Sequence, residues 1–313
     1  MRLALSTNWN SGRLRKSGGE AIVDEALELG FDALELGFSL LPEQVPGIRR
    51  RLSEMPVDSV HAFSPVPLSA PYGHPELHSL ADLNADERAL AFGMLKRCLA
   101  FAASMGARRV VLHAGRVGFG TLFAPRSSES FRRFVKDGKL DRDDPKYAKL
   151  LERSCALRKK RGERVMPLFR QELDRLMPEL ERLGLELALE NLPYYEAFPD
   201  EDQMEALAKD YPRVRAWFDT GHARVRASFG WSPAEVDVLA RQLPYLAGCH
   251  LNDVRDFEDD HYAVGLGKVD FAALKALAND AFTHVAEPGS GVKKDDLAAG
   301  VRRIRELWST EGA

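Results

Sequence analysis

The chain has 313 residues, of which 45% are hydrophobic and 29% are charged. These values are typical of a globular protein and exclude collagen-like and disordered classes. A net charge of −3 predicts no global attraction to nucleic acid or to an anionic membrane. Three distant cysteines (Cys98, Cys155 and Cys249) without a Cys-x-x-Cys pair exclude a disulfide framework and indicate a reducing compartment. Because a polar segment interrupts the N-terminus early and no apolar run reaches 18 residues, we expect a cytoplasmic protein without a membrane span.

Short apolar runs alternate with longer segments of helical period, which is the pattern of βα units around a parallel sheet. The predicted strands cover residues 3–7, 33–37, 57–61, 109–113, 186–190, 214–219, 246–251 and 283–287. The predicted helices cover residues 18–29, 44–54, 85–105, 163–183, 201–210, 233–243, 270–279 and 293–308. An open doubly wound sheet is the alternative, but no G-x-G-x-x-G follows the first strand. We therefore predict one α/β domain over residues 1–313, a single (β/α)8 TIM barrel.

A long insertion, residues 116–162, separates the fourth predicted strand from its helix and exceeds an ordinary βα loop. Residues 126–164 contain 14 Lys or Arg and 7 Asp or Glu, a net charge of +7 that leaves −10 for the remainder. Because βα loops of a barrel lie over the C-terminal ends of its strands, we expect this segment near the barrel mouth. It is either a solvated helical hairpin or a lid that attracts an anionic substrate.

Potential metal ligands stand at the ends of the predicted strands or in the loops that follow them. They are five histidines and four acids: His61, His113, His222, His250 and His261, with Glu190, Asp219, Asp259 and Glu287. The C-terminal ends of barrel strands meet at one face, so the nine side chains should converge there. Clustered carboxylates repel one another, and a divalent cation is the natural counter-charge. Nitrogen and oxygen donors without thiolate suit Zn²⁺, Mn²⁺, Fe²⁺ or Co²⁺.

Other residues near these strand ends have supporting roles in the sequence-based hypothesis. Four aromatic residues are candidates for stacking on a substrate: Trp9, Phe63, Tyr194 and Trp217. Asn252 and Asp253 lie two and three residues after His250 and are candidates for orienting its ring. Cys249 should point to the opposite face of its strand, which predicts a buried core thiol.

The ordered motifs resemble a known superfamily. They are Val60-His61-Ala62, Leu112-His113, Glu190-Asn191, Asp219-Thr220-Gly221-His222, His250-Leu251-Asn252-Asp253, Asp259-Asp260-His261 and Glu287-Pro288. Together they resemble the xylose isomerase-like TIM barrels, which include sugar phosphate isomerases and epimerases and the endonuclease IV type of apurinic endonuclease. The resemblance covers nearly the whole chain except the insertion.

This resemblance implies a metal site that is shared across the superfamily, with Zn²⁺ or Mn²⁺ as the expected ion. Its ligands would be Glu190, Asp219, His250 and Glu287. In the endonuclease branch, the positions matching His61, His113, His222, Asp259 and His261 hold a second and a third zinc, so one to three ions are expected. Ketose 3-epimerases usually carry an Arg at the Asp-x-His element, and this chain departs from them there.

Three functions from different classes follow from this resemblance and from the ligand pattern. The first is an isomerase or epimerase of carbohydrate metabolism, in which Glu190 and Glu287 remove and return a proton of a sugar, sugar phosphate or sugar derivative. The second is a zinc-dependent phosphodiesterase of the apurinic endonuclease type, although the acidic remainder of the chain weakens the charge pattern expected of a DNA binder.

The third is a non-catalytic sugar-binding barrel. A closed structural metal site uses four protein ligands, whereas nine candidate ligands are expected around the open barrel mouth, and this difference argues against the third function. The expected partner is a small carbohydrate, for which a negative charge would suit the basic insertion. Nucleic acid is a partner only in the second hypothesis. No membrane partner is expected, and a homo-oligomer stays open.

Overall fold

The computed structural model describes residues 1–117 and 127–309. Eight parallel strands close a barrel in sequential order, with the first strand paired to the last. The strands are β1 (Ala4–Ser6), β2 (Ala33–Leu36), β3 (Val57–His61), β4 (Arg109–Leu112), β5 (Glu186–Glu190), β6 (Val214–Asp219), β7 (Leu246–Leu251) and β8 (Thr283–Ala286). The predicted (β/α)8 barrel is therefore confirmed.

Nine α-helices lie within the described residues. They are α1 (Gly18–Glu28), α2 (Val45–Arg50), α3 (Ala85–Ser104), α4 (Ser127–Arg132), α5 (Pro145–Leu183), α6 (Glu201–Asp210), α7 (Thr220–Phe229), α8 (Glu235–Gln242) and α9 (Lys294–Leu307). Helix α7 was not predicted, and it begins directly after β6. The carboxylate of Asp219 caps it by accepting a hydrogen bond from the backbone N–H of His222 at 2.7 Å.

The helix predicted over residues 270–279 is wrong. This part of the described chain forms turns and a short 3₁₀ helix, Lys275–Leu277, instead of an α-helix. Its buried apolar residues, Phe271, Leu274 and Leu277, recur every three residues. That interval is the period of a 3₁₀ helix, whereas an α-helical stripe alternates intervals of three and four.

The insertion is organised differently from a simple loop. Helix α5 spans 39 residues and begins at Pro145, inside the segment that we expected to be inserted. Asp144 caps its first turn, and Gly184 ends it with a left-handed φ of 68°. Before it, Val135–Lys136 and Lys139–Leu140 form a small hairpin. Residues 118–126 of the insertion, including the Arg126 counted above, lie outside the described residues.

The described part of the insertion packs against loops at the C-terminal side of the barrel. Phe131 and Tyr147 belong to a buried aromatic cluster with Tyr195 and Phe229, and the hydroxyl of Tyr147 donates a hydrogen bond to the Phe229 carbonyl. An ion pair of 2.7 Å joins the Arg132 guanidinium to a carboxylate in the loop after β7. These contacts place the segment beside the barrel mouth, and its role as a lid stays a prediction.

Trp217 fills the centre of the barrel. Six small residues from other strands surround its ring and share its burial: Ala4, Ala33, Val111, Ala188, Ala247 and Val285. The indole ring lies edge-on to the imidazole of His250, with ring centroids 5.2 Å apart. It forms the floor of the face where the predicted ligands meet.

Within the described residues, no helix combines the length and the hydrophobicity needed to cross a lipid bilayer.

Candidate metal centre

Three of the predicted ligands surround an imidazole nitrogen of a fourth. His250 Nδ1 lies 3.1 Å from Glu190 Oε1, 3.1 Å from Glu287 Oε2 and 3.8 Å from Asp219 Oδ2. The four side chains come from the ends of β5, β6 and β7 and from the residue after β8. All four are buried, and their ligand atoms lie within 4.8 Å of one another. We call these residues the central group.

A second set adjoins the central group and shares Glu190 with it. His61 Nε2 lies 3.2 Å and His113 Nε2 lies 3.1 Å from Glu190 Oε2. The other oxygen of Glu190 faces His250. Both carboxylate oxygens are therefore occupied, one on each side, and the shared carboxylate joins the two sets.

A third set consists of His222, Asp259 and His261. Asp259 Oδ1 lies 3.5 Å from His222 Nε2 and 3.3 Å from His261 Nε2. His222 Nδ1 is 3.3 Å from Glu190 Oε1, so this set also adjoins the central group. The structure thus brings all nine sequence-predicted ligands to one face of the barrel. Whether they bind metal ions stays a prediction.

Asparagine side chains fix the orientation of two central carboxylates. Asn252 donates to Asp219 Oδ2 at 2.6 Å, and Asn8 donates to Glu287 Oε1 at 3.0 Å. The hypothesis that Asn252 orients His250 is therefore wrong, because its amide reaches the neighbouring strand instead. Sequence reasoning did not identify Asn8, whose side chain also accepts from the backbone N–H of Ser39.

Asp253 organises the loop that carries two members of the third set. Its carboxylate accepts four backbone hydrogen bonds of 2.9–3.0 Å, from residues 254, 265, 267 and 269. Backbone hydrogen bonds also pair Asp253 with Tyr262 in both directions. The sequence-based hypothesis that Asp253 orients His250 is therefore wrong. It closes the loop from which Asp259 and His261 project.

A fully buried carboxylate that sequence reasoning missed lies behind His250. Glu35, on β2, has an oxygen 3.1 Å from His250 Nε2, on the side of the ring that faces away from the central group. The hydroxyl of Ser59 donates to the other oxygen of Glu35 at 2.8 Å. The only sequence signal is a charged residue inside an otherwise apolar run, Ala-Leu-Glu-Leu.

The clustered groups differ in the direction of their pKa shifts, because their electrostatic surroundings differ. Burial opposes the ionisation of Glu190, but His250 and His113 outweigh it and hold the Glu190 pKa well below its usual value. Burial raises the pKa of Glu287. Burial disfavours the charged form of His261, yet Asp259 outweighs burial and raises the His261 pKa to about 10. Without a metal ion, a proton on His261 therefore offsets part of the carboxylate charge.

Most of the aromatic residues proposed to stack on a substrate are not available for that role. Trp217 is completely buried in the barrel, and Trp9 and Phe63 are each only 3% exposed. Trp9 also donates its indole N–H to the carbonyl of Val292 at 2.9 Å. Tyr194 is half-buried, and the Arg116 guanidinium covers its ring at 3.5 Å from the centroid. Tyr194 is thus the remaining candidate of the four.

The residues present fit a divalent metal ion. Three carboxylates lie around one imidazole nitrogen in a buried site, where uncompensated negative charge is costly. Asp259 Oδ1 is enclosed but has no hydrogen bond of good geometry, as expected of an oxygen prepared for another partner. The donors are nitrogen and oxygen only, the set that Zn²⁺ and Mn²⁺ accept.

The fold has known relatives among sequences and solved structures. Residues 23–286 match the family model of the xylose isomerase-like TIM barrel. A putative xylose isomerase from Rhodospirillum rubrum is 18% identical with a TM-score of 0.70, and the match covers 98% of this chain and 99% of that one. A D-tagatose 3-epimerase-like protein is 17% identical with a TM-score of 0.66, over 98% and 97% of the two chains.

A Thermus thermophilus protein, solved after soaking with ZnCl₂, is 21% identical with a TM-score of 0.60 and full coverage of both chains. At these identities, the structural likeness shows the fold alone. A search of curated proteins found no match. Because the family model matches most of the chain, the protein belongs to the xylose isomerase-like TIM-barrel family.

Proposed function

We propose that the protein is a divalent-metal-dependent isomerase or epimerase that acts on a sugar, sugar phosphate or sugar derivative. The observation that carries the proposal is the approach of two carboxylates to the same position. Glu190 and Glu287 each place an oxygen 3.1 Å from His250 Nδ1. Both can therefore lie beside one substrate carbon. Structural relatives that are described as a putative xylose isomerase and a D-tagatose 3-epimerase-like protein support this choice.

The reaction requires a proton to leave a carbon next to a carbonyl and to return at the same or the neighbouring carbon. We assign the removal of this proton to Glu287, which places one oxygen 3.1 Å from His250 Nδ1. Asn8 holds one oxygen of Glu287 and leaves the other directed to the centre. The bound ion supplies positive charge that stabilises the negative charge developing on the substrate oxygen. Glu190, held by imidazoles on both sides, is placed to return the proton.

The basic insertion is the proposed source of affinity for an anionic substrate, and three of its arginines contact other parts of the protein. Arg132 pairs with Glu258, and Arg158 pairs with Asp200. Arg142 donates to two backbone carbonyls at the end of α7. These contacts anchor the segment to the barrel.

Solvent exchange and metal content test the proposal together. Purified protein is expected to contain a divalent ion, and sugars recovered after incubation in D₂O are expected to carry deuterium at the carbon that loses its proton. Glu287→Gln should abolish the incorporation. Glu186→Gln is the matched control, because Glu186 lies at the opposite end of β5 and pairs with Arg109. Failure of a broad panel of ketoses, aldoses and sugar phosphates to incorporate deuterium would contradict the proposal.

The adjoining sets of ligands favour a second candidate, a zinc-dependent phosphodiesterase. The second set shares Glu190 with the central group, and the third set lies within 3.3 Å of the same carboxylate. Neighbouring ions can stabilise both the attacking and the leaving oxygen of a phosphodiester. About three zinc ions per chain, together with cleavage of abasic duplex DNA that Glu190→Gln abolishes, would select this function and replace the first.

A further inference from the structure

Glu35 and His250 meet across the interior of the barrel. Glu35 lies on β2 and His250 on β7, and these strands are not neighbours in the sheet. Both side chains are completely buried. A carboxylate in such a place is costly unless hydrogen bonds or charges compensate it. The contact is therefore a specific feature of the site.

The hydrogen bonds around Glu35 define which ring nitrogen of His250 carries a proton. His250 Nε2 is 3.1 Å from Glu35 Oε1 and 3.2 Å from Glu35 Oε2. The Ser59 hydroxyl holds the same carboxylate at 2.8 Å. A carboxylate oxygen accepts, so Nε2 donates to Glu35, and a ring that binds a metal ion keeps this proton and binds through the lone pair of Nδ1. Nδ1 is the nitrogen that faces Glu190 and Glu287.

Neighbouring rings restrict the remaining freedom of the imidazole. The Trp217 indole lies edge-on to it at 5.2 Å between centroids. The His61 ring is nearly parallel to it at 5.7 Å, with an interplanar angle of 6°. Rotation of the His250 ring would break the hydrogen bonds to Glu35 and would meet these neighbours.

We propose that Glu35 is a positioning residue that holds His250 in the Nε2-protonated tautomer and so presents Nδ1 as a metal ligand. This inference rests on the metal site of the proposed function and adds to it a residue that contacts no substrate. Its charge also makes Nδ1 a stronger donor, as carboxylates behind metal-binding histidines generally do. Ser59 supports Glu35 from β3 and has a smaller effect.

Metal affinity is the direct test. Protein stripped with a chelator is titrated with Zn²⁺ against a chromophoric competitor, and the dissociation constant of the tightest site is measured. Glu35→Gln, which keeps the volume but removes the charge, is expected to weaken this site about 10- to 100-fold. Asp58→Asn is the matched control, since Asp58 precedes Ser59 on β3 and pairs with Arg2 instead. Its affinity should equal that of the wild type.

The ¹⁵N chemical shifts of the ring in the Zn²⁺-loaded protein give a second readout. They should show a proton on Nε2 of His250 in the wild type and a loss of that preference in Glu35→Gln. If Glu35→Gln does not fold, Glu35→Asp replaces it, because this variant keeps the charge but withdraws it from His250 and should also weaken binding. A wild type that binds no Zn²⁺ overturns the proposed function. A wild type that binds Zn²⁺, with unchanged affinity and tautomer in the variant, overturns the role of Glu35 alone.

Discussion

Trp217 and Gly248 lie against each other on neighbouring strands, and the indole of Trp217 occupies the space that a side chain at position 248 would need. A Cβ built on Gly248 would lie 2.5 Å from the indole ring and 2.4 Å from the carbonyl oxygen of Thr283. The same indole contacts the ring of His250. The glycine at position 248 is therefore needed both for the packing of the barrel and for the geometry of the site.

Gly248→Ala is expected to destabilise the protein by about 3 kcal/mol, at the upper end of the range for overpacked cores. The indole of Trp217 is completely buried, and the backbone of β8 is paired with β7 at Thr283, so a shift of either would disturb the barrel. Displacement of Trp217 should also weaken metal binding through His250. Urea unfolding at neutral pH measures the stability change, and competitive Zn²⁺ titration measures the effect on binding.

Gly93→Ala is the matched control for this change. It adds the same methyl group within α3, where no atom of the described residues beyond the neighbouring residues and the helix's own backbone lies within 4 Å of the new Cβ. An alanine inside a helix is expected to stabilise the protein by roughly 0.5–1 kcal/mol. If the two variants had equal unfolding free energies, the packing between Trp217 and Gly248 would not be the constraint described here.

The barrel strands were predictable because each is a short, mostly apolar run, and most of these runs end in a polar residue or directly before one. The helices were less predictable, because the apolar stripe of a helix depends on how much of its surface the rest of the protein buries. Helix α7 has the sequence Thr-Gly-His-Ala-Arg-Val-Arg-Ala-Ser-Phe, which contains no continuous apolar stripe. Its start was also hidden, because Asp219 is both the cap of the helix and a member of the central group.

The candidate ligands were predictable for the same reason as the strands, since the C-terminal ends of barrel strands share one face. Their supporting residues were not. Glu35 and His250 are 215 positions apart in the chain, and neither periodicity nor spacing indicates that they meet. The partner of Asn252 likewise depends on the register between β6 and β7, which pairs Asp219 with His250.

Asp253→Asn is expected to loosen the loop that carries Asp259 and His261. An amide nitrogen cannot accept the hydrogen bonds that one carboxylate oxygen now receives, so two backbone donors lose their partner. We expect a loss of about 2 kcal/mol in stability and faster amide hydrogen exchange over residues 254–269. Asp260→Asn, in the same loop but bonded to the side chain and the backbone N–H of the exposed Arg255, should leave the exchange unchanged except at the Arg255 amide. Equal protection in both variants would contradict the role of Asp253.

Removal of metal is expected to lower the melting temperature of the protein. An ion that binds only the folded state adds about 2.7 kcal/mol of stability when its free concentration is 100 times the dissociation constant. Chelator-treated protein should therefore melt earlier, and added Zn²⁺ or Mn²⁺ should restore the transition. Glu190→Gln should lose most of this response, because Glu190 belongs to both the central group and the second set. A melting temperature that is independent of chelator and of added metal would argue against a tightly bound ion.

An ion pair outside the candidate metal centre should make stability depend on pH. Arg226 Nη2 lies 3.0 Å from Glu201 Oε1, and both side chains are largely buried. Burial opposes the ionisation of Glu201, but Arg226 outweighs burial and lowers the Glu201 pKa. A lowered folded-state pKa gives stability that is present above the ordinary glutamate value of about 4.3 and is lost as pH falls through the folded value.

Glu201→Gln removes this titration and leaves Arg226 without its charged partner. At pH 7, the variant is expected to be about 3 kcal/mol less stable than the wild type, as for other broken buried pairs. The difference should narrow as pH falls below about 4.3, because the unfolded wild type takes up a proton on Glu201 there, whereas the folded protein does so only at a lower pH. Urea unfolding of both proteins at several pH values between 7 and 3.5 measures this difference. Glu205→Gln, in the same helix but at a more exposed pair with Lys209, serves as the control. Its unfolding free energy should differ from that of the wild type by less than about 1 kcal/mol. If the stability difference between Glu201→Gln and the wild type stayed constant over this pH range, Arg226 would not stabilise the ionised form of Glu201.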